Sequence, residues 1–296
     1  MKKFGVVLGS FDGVHKGHQK VISLAADGNK IVPAAVYFFI PPASNGNKEL
    51  ITDFDERQQL FKEYGVKYTM SLNFEEIKNM TAEAFFRFLV ERFNPAVICC
   101  GFNYRFGKDA KGSVQTLKQM CEQKGIELRV AGPVKIDGNT VSSTAIRTYL
   151  KNGDMENAAS MLGRPFSFCG RVQKGDGRGK HLGFPTANVM YPAEKIKVKD
   201  GVYVTRITVG KKEYMGVTNI GARPTYPVDK PPSETYIINK KSNLYGKKVK
   251  IELLSYIRKP RAFASAAELS EQIKKDTAFA LDYFVKQGNK KSMFIC

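Results

Sequence analysis

The strongest constraint on the fold is a change of hydrophobic pattern at Gly163-Arg164-Pro165. Before it, short apolar runs alternate with helical segments. Residues 6–8 read as a buried strand, and a helix begun near His15 continues through 21–26. Residues 31–39 read as strand, 55–64 as a helix closed by Gly65, and 66–72 as strand. Thr81 can cap a helix whose Phe85, Leu89 and Phe93 fall at i, i+4 and i+8. Pro95 ends it, 96–100 is a strand, 114–124 a helix up to Gly125, and 126–130 a strand. This β-α-β-α order predicts a parallel sheet with helices on both faces and right-handed crossovers. Residues 144–162 read as a helical connector broken at Asn152-Gly153. After the change, short β-rich runs at 166–172, 202–209, 214–220, 234–239 and 249–256 are separated by Gly, Pro and Lys/Asn turns. That predicts a small antiparallel barrel. A final helix follows, with Ser265 and Glu268 as a capping box and Leu269, Ile273, Ala280 and Phe284 as its apolar face. Two domains are therefore expected, 1–163 including the connector and 164–296.

Composition narrows the class. Hydrophobic residues make up 43% and charged residues 25% of 296, a globular balance that excludes disordered and collagen-like chains. The opening apolar run is too short for a signal-peptide core, and no stretch approaches a membrane span. Five cysteines at 99, 100, 121, 169 and 296 form neither a disulfide framework nor a C-x-x-C zinc pattern. A reducing, cytoplasmic compartment is the natural expectation. The net charge is +19, with 22 basic against 17 acidic residues in 1–165 and 25 against 11 in 166–296. Such a surplus fits a solvated face, polyphosphate ligands or a nucleic-acid surface.

The first half carries Gly9-Ser10-Phe11-Asp12-Gly13-Val14-His15-Lys16-Gly17-His18 between a strand and a helix. Gly9 and Gly13 let the backbone turn and approach a ligand. The helix start offers free N–H groups to a phosphate. His15 and His18 can stabilise charge on an α-phosphate as pyrophosphate leaves. Metal binding by the pair is the alternative, although no acidic or Cys partner is spaced to complete a zinc site. In the second half, Gly175-Asp176-Gly177-Arg178-Gly179-Lys180-His181-Leu182-Gly183-Phe184-Pro185-Thr186-Ala187-Asn188 is a basic glycine loop suited to phosphates. It lacks the G-K-[ST] ending of a Walker A loop. Taken alone, Pro185-Thr186-Ala187-Asn188 also fits a turn into a strand.

H-x-G-H after G-x-F-D-G resembles the nucleotidylyltransferase superfamily. Gly101-Phe102-Asn103-Tyr104-Arg105-Phe106-Gly107 and Ser142-Ser143-Thr144-Ala145-Ile146-Arg147 are similar to segments of bacterial FAD synthetases, and P-T-A-N resembles the signature of riboflavin kinases. Asp200-Gly201-Val202-Tyr203, 216–221 and Arg223-Pro224-Thr225 are similar to the same kinases. The resemblance covers nearly the whole chain. It implies a Rossmann-like nucleotidylyltransferase domain followed by a β-barrel kinase domain with a C-terminal helix. It further implies that riboflavin and ATP give FMN in the second domain, and that FMN and ATP give FAD and pyrophosphate in the first.

By that resemblance His15, His18, Arg147 and Glu234 are catalytic, with Glu234 the general base and Arg147 gripping ATP phosphates. Gly9, Phe11, Asp12, Gly13, Asn103, Arg105, Ser142, Ser143 and Thr144 would bind nucleotide in the first domain. Gly175, Gly177, Arg178, Gly179, Gly183, Asn219 and Arg223 would do so in the second. Thr186 and Asn188 would hold Mg²⁺. The partners implied are these small molecules, with no obligatory nucleic acid and no membrane. The sequence departs from the family where Pro41 replaces a His, and where Tyr236 and Asn239 replace a His and an Asp. Those departures leave open a relative with one activity, and the basic second half a flavin-responsive nucleic-acid regulator.

Overall fold

The computed structural model describes residues 3–26, 31–38, 49–175, 179, 182–221, 233–240 and 243–293. Pro41, Gly177, Arg178, Arg223 and Cys296 lie outside the described residues.

The chain divides into two compact units. The first is 1–146 with 161–163 and 194–196, and the second is 147–160, 164–193 and 197–296. In the first, five parallel strands take the order β3-β2-β1-β4-β5. They are β1 (Lys3–Gly9), β2 (Ile31–Phe38), β3 (Tyr68–Leu72), β4 (Pro95–Gly101) and β5 (Glu127–Ala131). The helices between them are α1 (Lys16–Ser23), α2 (Phe54–Glu63), the short α3 (Phe74–Ile77), α4 (Ala82–Phe93) and α5 (Val114–Gln123).

Alternation along the central strands builds two cores. Val7, Ala35, Val97 and Cys99 pack with Val21 and Ile22 of α1 and Leu60 and Phe61 of α2. Val6, Leu8, Val36, Ile98 and Cys100 pack with Phe85 and Leu89 of α4 and Leu117 of α5. Each Val, Leu, Ile or Phe among them, fully buried, contributes about 1.5–3 kcal/mol. The adjacent cysteines therefore point to opposite faces of the sheet, and burial pushes both thiols up to about 12.

Local chemistry sets the helix ends. The Thr81 hydroxyl accepts from Ala84 N at 3.2 Å, and α4 stops at Asn94 in the left-handed region (φ 43°), directly before Pro95. A two-strand ribbon, β6 (Lys135–Ile136) and β7 (Asn139–Thr140), turns through Asp137-Gly138, both at positive φ. Then α6 (Ser143–Asn152) and α7 (Met155–Leu162) follow, separated where Gly153 takes φ +80°.

In the second unit six antiparallel strands close a barrel in the order β10-β11-β12-β9-β8-β13. They are β8 (Phe166–Gln173), β9 (Thr186–Val189), β10 (Gly201–Val209), β11 (Lys212–Ile220), β12 (Ser233–Ile237) and β13 (Lys248–Arg258). The predicted strand 234–239 ends early, because Asn239 turns left-handed at φ 58°. The buried hydroxyls of Thr205, Thr218 and Thr235 bond one another at 2.9 Å across three strands, which satisfies polar groups sealed from water. On another face Val202, Val204, Val217, Ile238 and Leu254 pack with Ala280, Tyr283 and Phe284 of α8 (Ala266–Met293). The capping box forms, with Glu268 N donating to Ser265 Oγ at 3.2 Å and Ala264 N to Glu268 Oε2 at 2.9 Å. Buried Asp276 on α8 pairs with Arg258 at 2.8 Å.

Candidate active sites

In the first unit the strand order reverses direction between β1 and β4. The carboxyl ends of these two neighbours frame the crevice where open α/β sheets bind ligands. The loop leaving β1 carries Gly9, Phe11, Asp12 and Gly13, and the segment leaving β4 carries Asn103 and Arg105, both exposed. A side chain at Gly13 would be strained at φ +86° and would press on Ile51 and Leu162.

The Asp12 carboxylate is buried. It accepts from the N–H groups of Ile51 (3.0 Å) and Thr52 (3.1 Å), the Thr52 hydroxyl (3.2 Å) and the Arg57 guanidinium (3.1 Å). Gly13 N donates to Thr52 Oγ1 at 3.0 Å, and Arg57 also donates to the Ser10 carbonyl at 3.2 Å. Asp12 thus holds the loop with its carboxylate, while its own carbonyl accepts from Ser143 Oγ at 2.9 Å. That bond brings the start of α6 against the β1 loop. Ser142 caps α6 by accepting from Ala145 N at 3.2 Å, and Thr144 beside it is exposed. Arg147 lies one turn beyond Ser143 on the same helix, at the first residue counted with the second unit.

His15 caps α1, its Nδ1 accepting from His18 N at 3.3 Å. A ring nitrogen that accepts carries no proton, so in neutral His15 the proton sits on Nε2. The imidazoles of His15 and His18 stack with centroids 3.6 Å apart and planes inclined by 14°. Phe11 meets His18 edge-on at 5.1 Å. His18 Nδ1 is buried with no hydrogen-bond partner. Burial holds the His18 pKa well below its ordinary value, reinforced by the adjacent His15 and Arg57 charges. Two stacked cations would repel, which disfavours protonation of both imidazoles at once.

In the barrel, β12 pairs β9 and β11 in a register that places Glu234 opposite Asn188 on one side and Asn219 on the other. Gln173 of β8 stands opposite Asn188 in turn. Directly opposed residues share a face, so Gln173, Asn188, Glu234 and Asn219 form one polar row across four strands. Thr186 lies two residues before Asn188 on the same face, opposite Tyr236.

The described ends of the glycine loop close on this face. A Cβ on Gly175 would fall 2.4 Å from Asn188 Nδ2, and one on Gly179 would fall 2.4 Å from the Phe184 carbonyl and 3.6 Å from Thr186 Cγ2. Only glycine permits both approaches. Gly183 turns at φ +84° with open space beside it. Phe184 meets Tyr236 edge-on at 5.2 Å, so the aromatic that departs from the family pattern serves as packing at the site edge. Thr186 and Asn188 offer neutral oxygens and Glu234 a carboxylate, the hard donors Mg²⁺ takes when it arrives with phosphate and water. Among the described residues no cluster of three or more His, Cys, Asp or Glu could hold a metal.

Sequence reading did not single out Gln173, Thr52 or Arg57. Gln173 was legible only through its register with Asn188. Thr52 and Arg57 reach Asp12 across about 40 positions of chain, where no local period points to them.

A family model described as FAD synthetase matches residues 1–145, and one described as riboflavin kinase matches 162–284. The bifunctional riboflavin kinase/FMN adenylyltransferase of Bacillus subtilis (strain 168) is 35% identical over 291 residues, covering 94% of this chain and 92% of that protein. Its counterpart in Escherichia coli (strain K12) is 32% identical over 289 residues, with the same coverage. Among solved structures, one from Streptococcus pneumoniae described as a macrolide-efflux protein superposes with a TM-score of 0.83 at 28% identity. It covers 95% of this chain and 94% of that one. No helix among the described residues of this chain is long and apolar enough to cross a membrane.

Proposed function

The chain belongs to the bifunctional riboflavin kinase/FMN adenylyltransferase family, and within that family we propose a specific division of labour among its residues. The family's activities are ATP-dependent phosphorylation of riboflavin to FMN and adenylylation of FMN to FAD, split between the two domains. In our assignment 1–163 adenylylates and 164–296 phosphorylates. The chain works in the cytoplasm, where Cys99, Cys100, Cys121 and Cys169, none of them in a disulfide, stay reduced. Its partners are small molecules, with no nucleic acid required.

In the first domain an FMN phosphate oxygen attacks the ATP α-phosphorus and pyrophosphate departs. Nε2–H of His15 donates a hydrogen bond to the α-phosphate, and the neutral His18 ring stacked on it holds His15 in place as the leaving pyrophosphate oxygen gains electrons. Backbone N–H groups of the loop at 9–12 and of the α6 start at 142–144 serve the phosphates, while Gly13 N–H donates to Thr52 Oγ1. Asn103, Arg105 and Arg147 supply the remaining polar and cationic grip. Asp12 and Phe11 act by fixing the loop and the His18 ring.

In the second domain Glu234 accepts the proton of the riboflavin 5′-hydroxyl as its oxygen bonds to the γ-phosphorus and ADP leaves. Thr186 and Asn188 would hold Mg²⁺, which when bound neutralises phosphate charge. Gly175, Gly177, Gly179 and Gly183 let the loop backbone follow the phosphates, with Arg178, Asn219 and Arg223 as side-chain contacts. The observation that supports this reading most is the row Asn188–Glu234–Asn219, which sets a base beside oxygen donors.

The test is chromatography of flavins formed from riboflavin or from FMN, with ATP and Mg²⁺. His18→Ala should cut FAD formation by about 10²–10⁴-fold and leave FMN formation intact. Glu234→Gln should do the reverse. Loss of both reactions from either change in folded protein would overturn the assignment.

A further inference from the structure

Residues 194–196 follow β9 in the chain, yet they belong to the first unit. Glu194 O accepts from Leu50 N at 2.9 Å, and Ile196 N donates to Leu50 O at 2.8 Å, so Lys195 pairs with Leu50 as a parallel bridge. The Lys195 side chain is fully buried. Its Nζ lies 2.5 Å from Glu56 Oε2 in the first turn of α2 and 4.0 Å from Oδ2 of Asp53, the N-cap of that helix. Those carboxylates suit a helix N-terminus by themselves, so the ammonium is not needed to start α2. What it does is clamp this short strap to the segment that follows Leu50.

That segment is the support of the nucleotide loop. Ile51 and Thr52 give their N–H groups to the Asp12 carboxylate, Thr52 Oγ1 receives Gly13 N, and Arg57 spans Asp12 and Ser10. The backbone leads directly from Gly13 to His15. An unbroken run of bonds therefore joins Lys195 to the loop ending in the two histidines.

We propose that Lys195 is a positioning residue for FMN adenylylation, holding residues 50–57 so that the Asp12–His15 loop stays in its reactive geometry. The proposal rests on the assignment of that reaction to the His15/His18 site. A displacement of about 1 Å at a reacting centre can cost around 10²-fold in rate.

The test uses the full chain carrying Lys195→Met, Lys195→Arg, Glu56→Gln and the double variant Lys195→Met/Glu56→Gln, with both reactions followed in each. Lys195→Met should lower kcat for FAD formation about 10- to 100-fold while riboflavin phosphorylation stays within about twofold, so that FMN accumulates from riboflavin. Lys195→Arg should restore most of the loss. Glu56→Gln should give a smaller loss in the same reaction, and the double variant should be no worse than Lys195→Met alone. Circular dichroism and the retained kinase reaction report folding. Unchanged FAD formation in Lys195→Met, equal loss of both reactions, additive losses in the double variant, or no rescue by Arg would each overturn the proposal. His18→Ala run in parallel separates the two ideas, because normal FAD formation in that variant would instead remove the site assignment.

Discussion

Replacing Arg57 by Met removes the guanidinium that pairs with a carboxylate sealed in the first unit. The side chains of Arg57 and Asp12 are 0% and 1% exposed. Without Arg57, Asp12 keeps its bonds to Ile51 N and Thr52 N but loses the 3.1 Å contact to the guanidinium. Breaking a buried pair in this way costs about 3–5 kcal/mol, because the remaining buried charge loses its ion-pair partner. A domain of this size is stable by about 5–15 kcal/mol, so a large share is removed. At about 2–4 °C per kcal/mol the unfolding midpoint of the first unit should fall by about 6–20 °C. Calorimetry of the full chain measures it, with heat inactivation of FAD formation as the matching functional reading and kinase inactivation as the internal reference. Adding Asp12→Asn to Arg57→Met removes both charges and should recover part of the loss, since Asn still accepts from the two N–H groups. A fall below about 2 °C in Arg57→Met, or a double variant that simply sums the single losses, would refute the reasoning.

His18 is neutral in the folded protein because burial lowers its pKa, whereas in the unfolded chain it titrates near its ordinary value of about 6.5. The unfolded state therefore binds the extra proton below that pH. Stability from this residue is present at higher pH and is lost as pH falls below about 6.5, by about 1.4 kcal/mol per unit until the folded form also protonates. Urea unfolding between pH 5 and 8 should show that slope, and His18→Asn should flatten it; an unchanged slope would count against the buried neutral imidazole. Gly175→Ala puts a methyl group onto the Asn188 amide, 2.4 Å from Nδ2. It should reduce riboflavin phosphorylation by about tenfold or more while FAD formation from FMN stays normal, and equal kinase rates in both forms would show that the loop moves aside at no cost.

The alternation of apolar runs led directly to the parallel sheet, because strands buried on both faces appear as short hydrophobic stretches between amphipathic helices. Thr81, Ser265 and Glu268 were readable as caps because capping is local chemistry, and each makes the bond its type and position imply. The ribbon at Asp137-Gly138 carried a turn signal that the broad alternation overshadowed. Gly13, Gly175 and Gly179 were legible as places of tight turn or close backbone approach, where few alternatives to glycine exist. Asp12 was legible as part of a site loop but not as a buried anchor, since its partners Thr52 and Arg57 lie far along the chain. Likewise nothing around Lys195 in the sequence distinguishes it from the other lysines of a basic second half. Its burial exists only once Leu50, Asp53 and Glu56 are brought to it.

The strap also sets an order of events during synthesis. Chains grow at about 5–20 residues per second from the N-terminus. Glu194 is made about thirty residues after Gly163, a wait of about 2–6 s. Until then the nascent first unit has its five strands and both histidines but lacks the lysine that clamps residues 50–57. The sheet can collapse early, while the nucleotide loop acquires its last tether only after β8 and β9, with Thr186 and Asn188, have been made. On the role proposed for Lys195, the adenylylating loop therefore matures after the sheet that carries it, although still before the barrel strands at 201–258 are made.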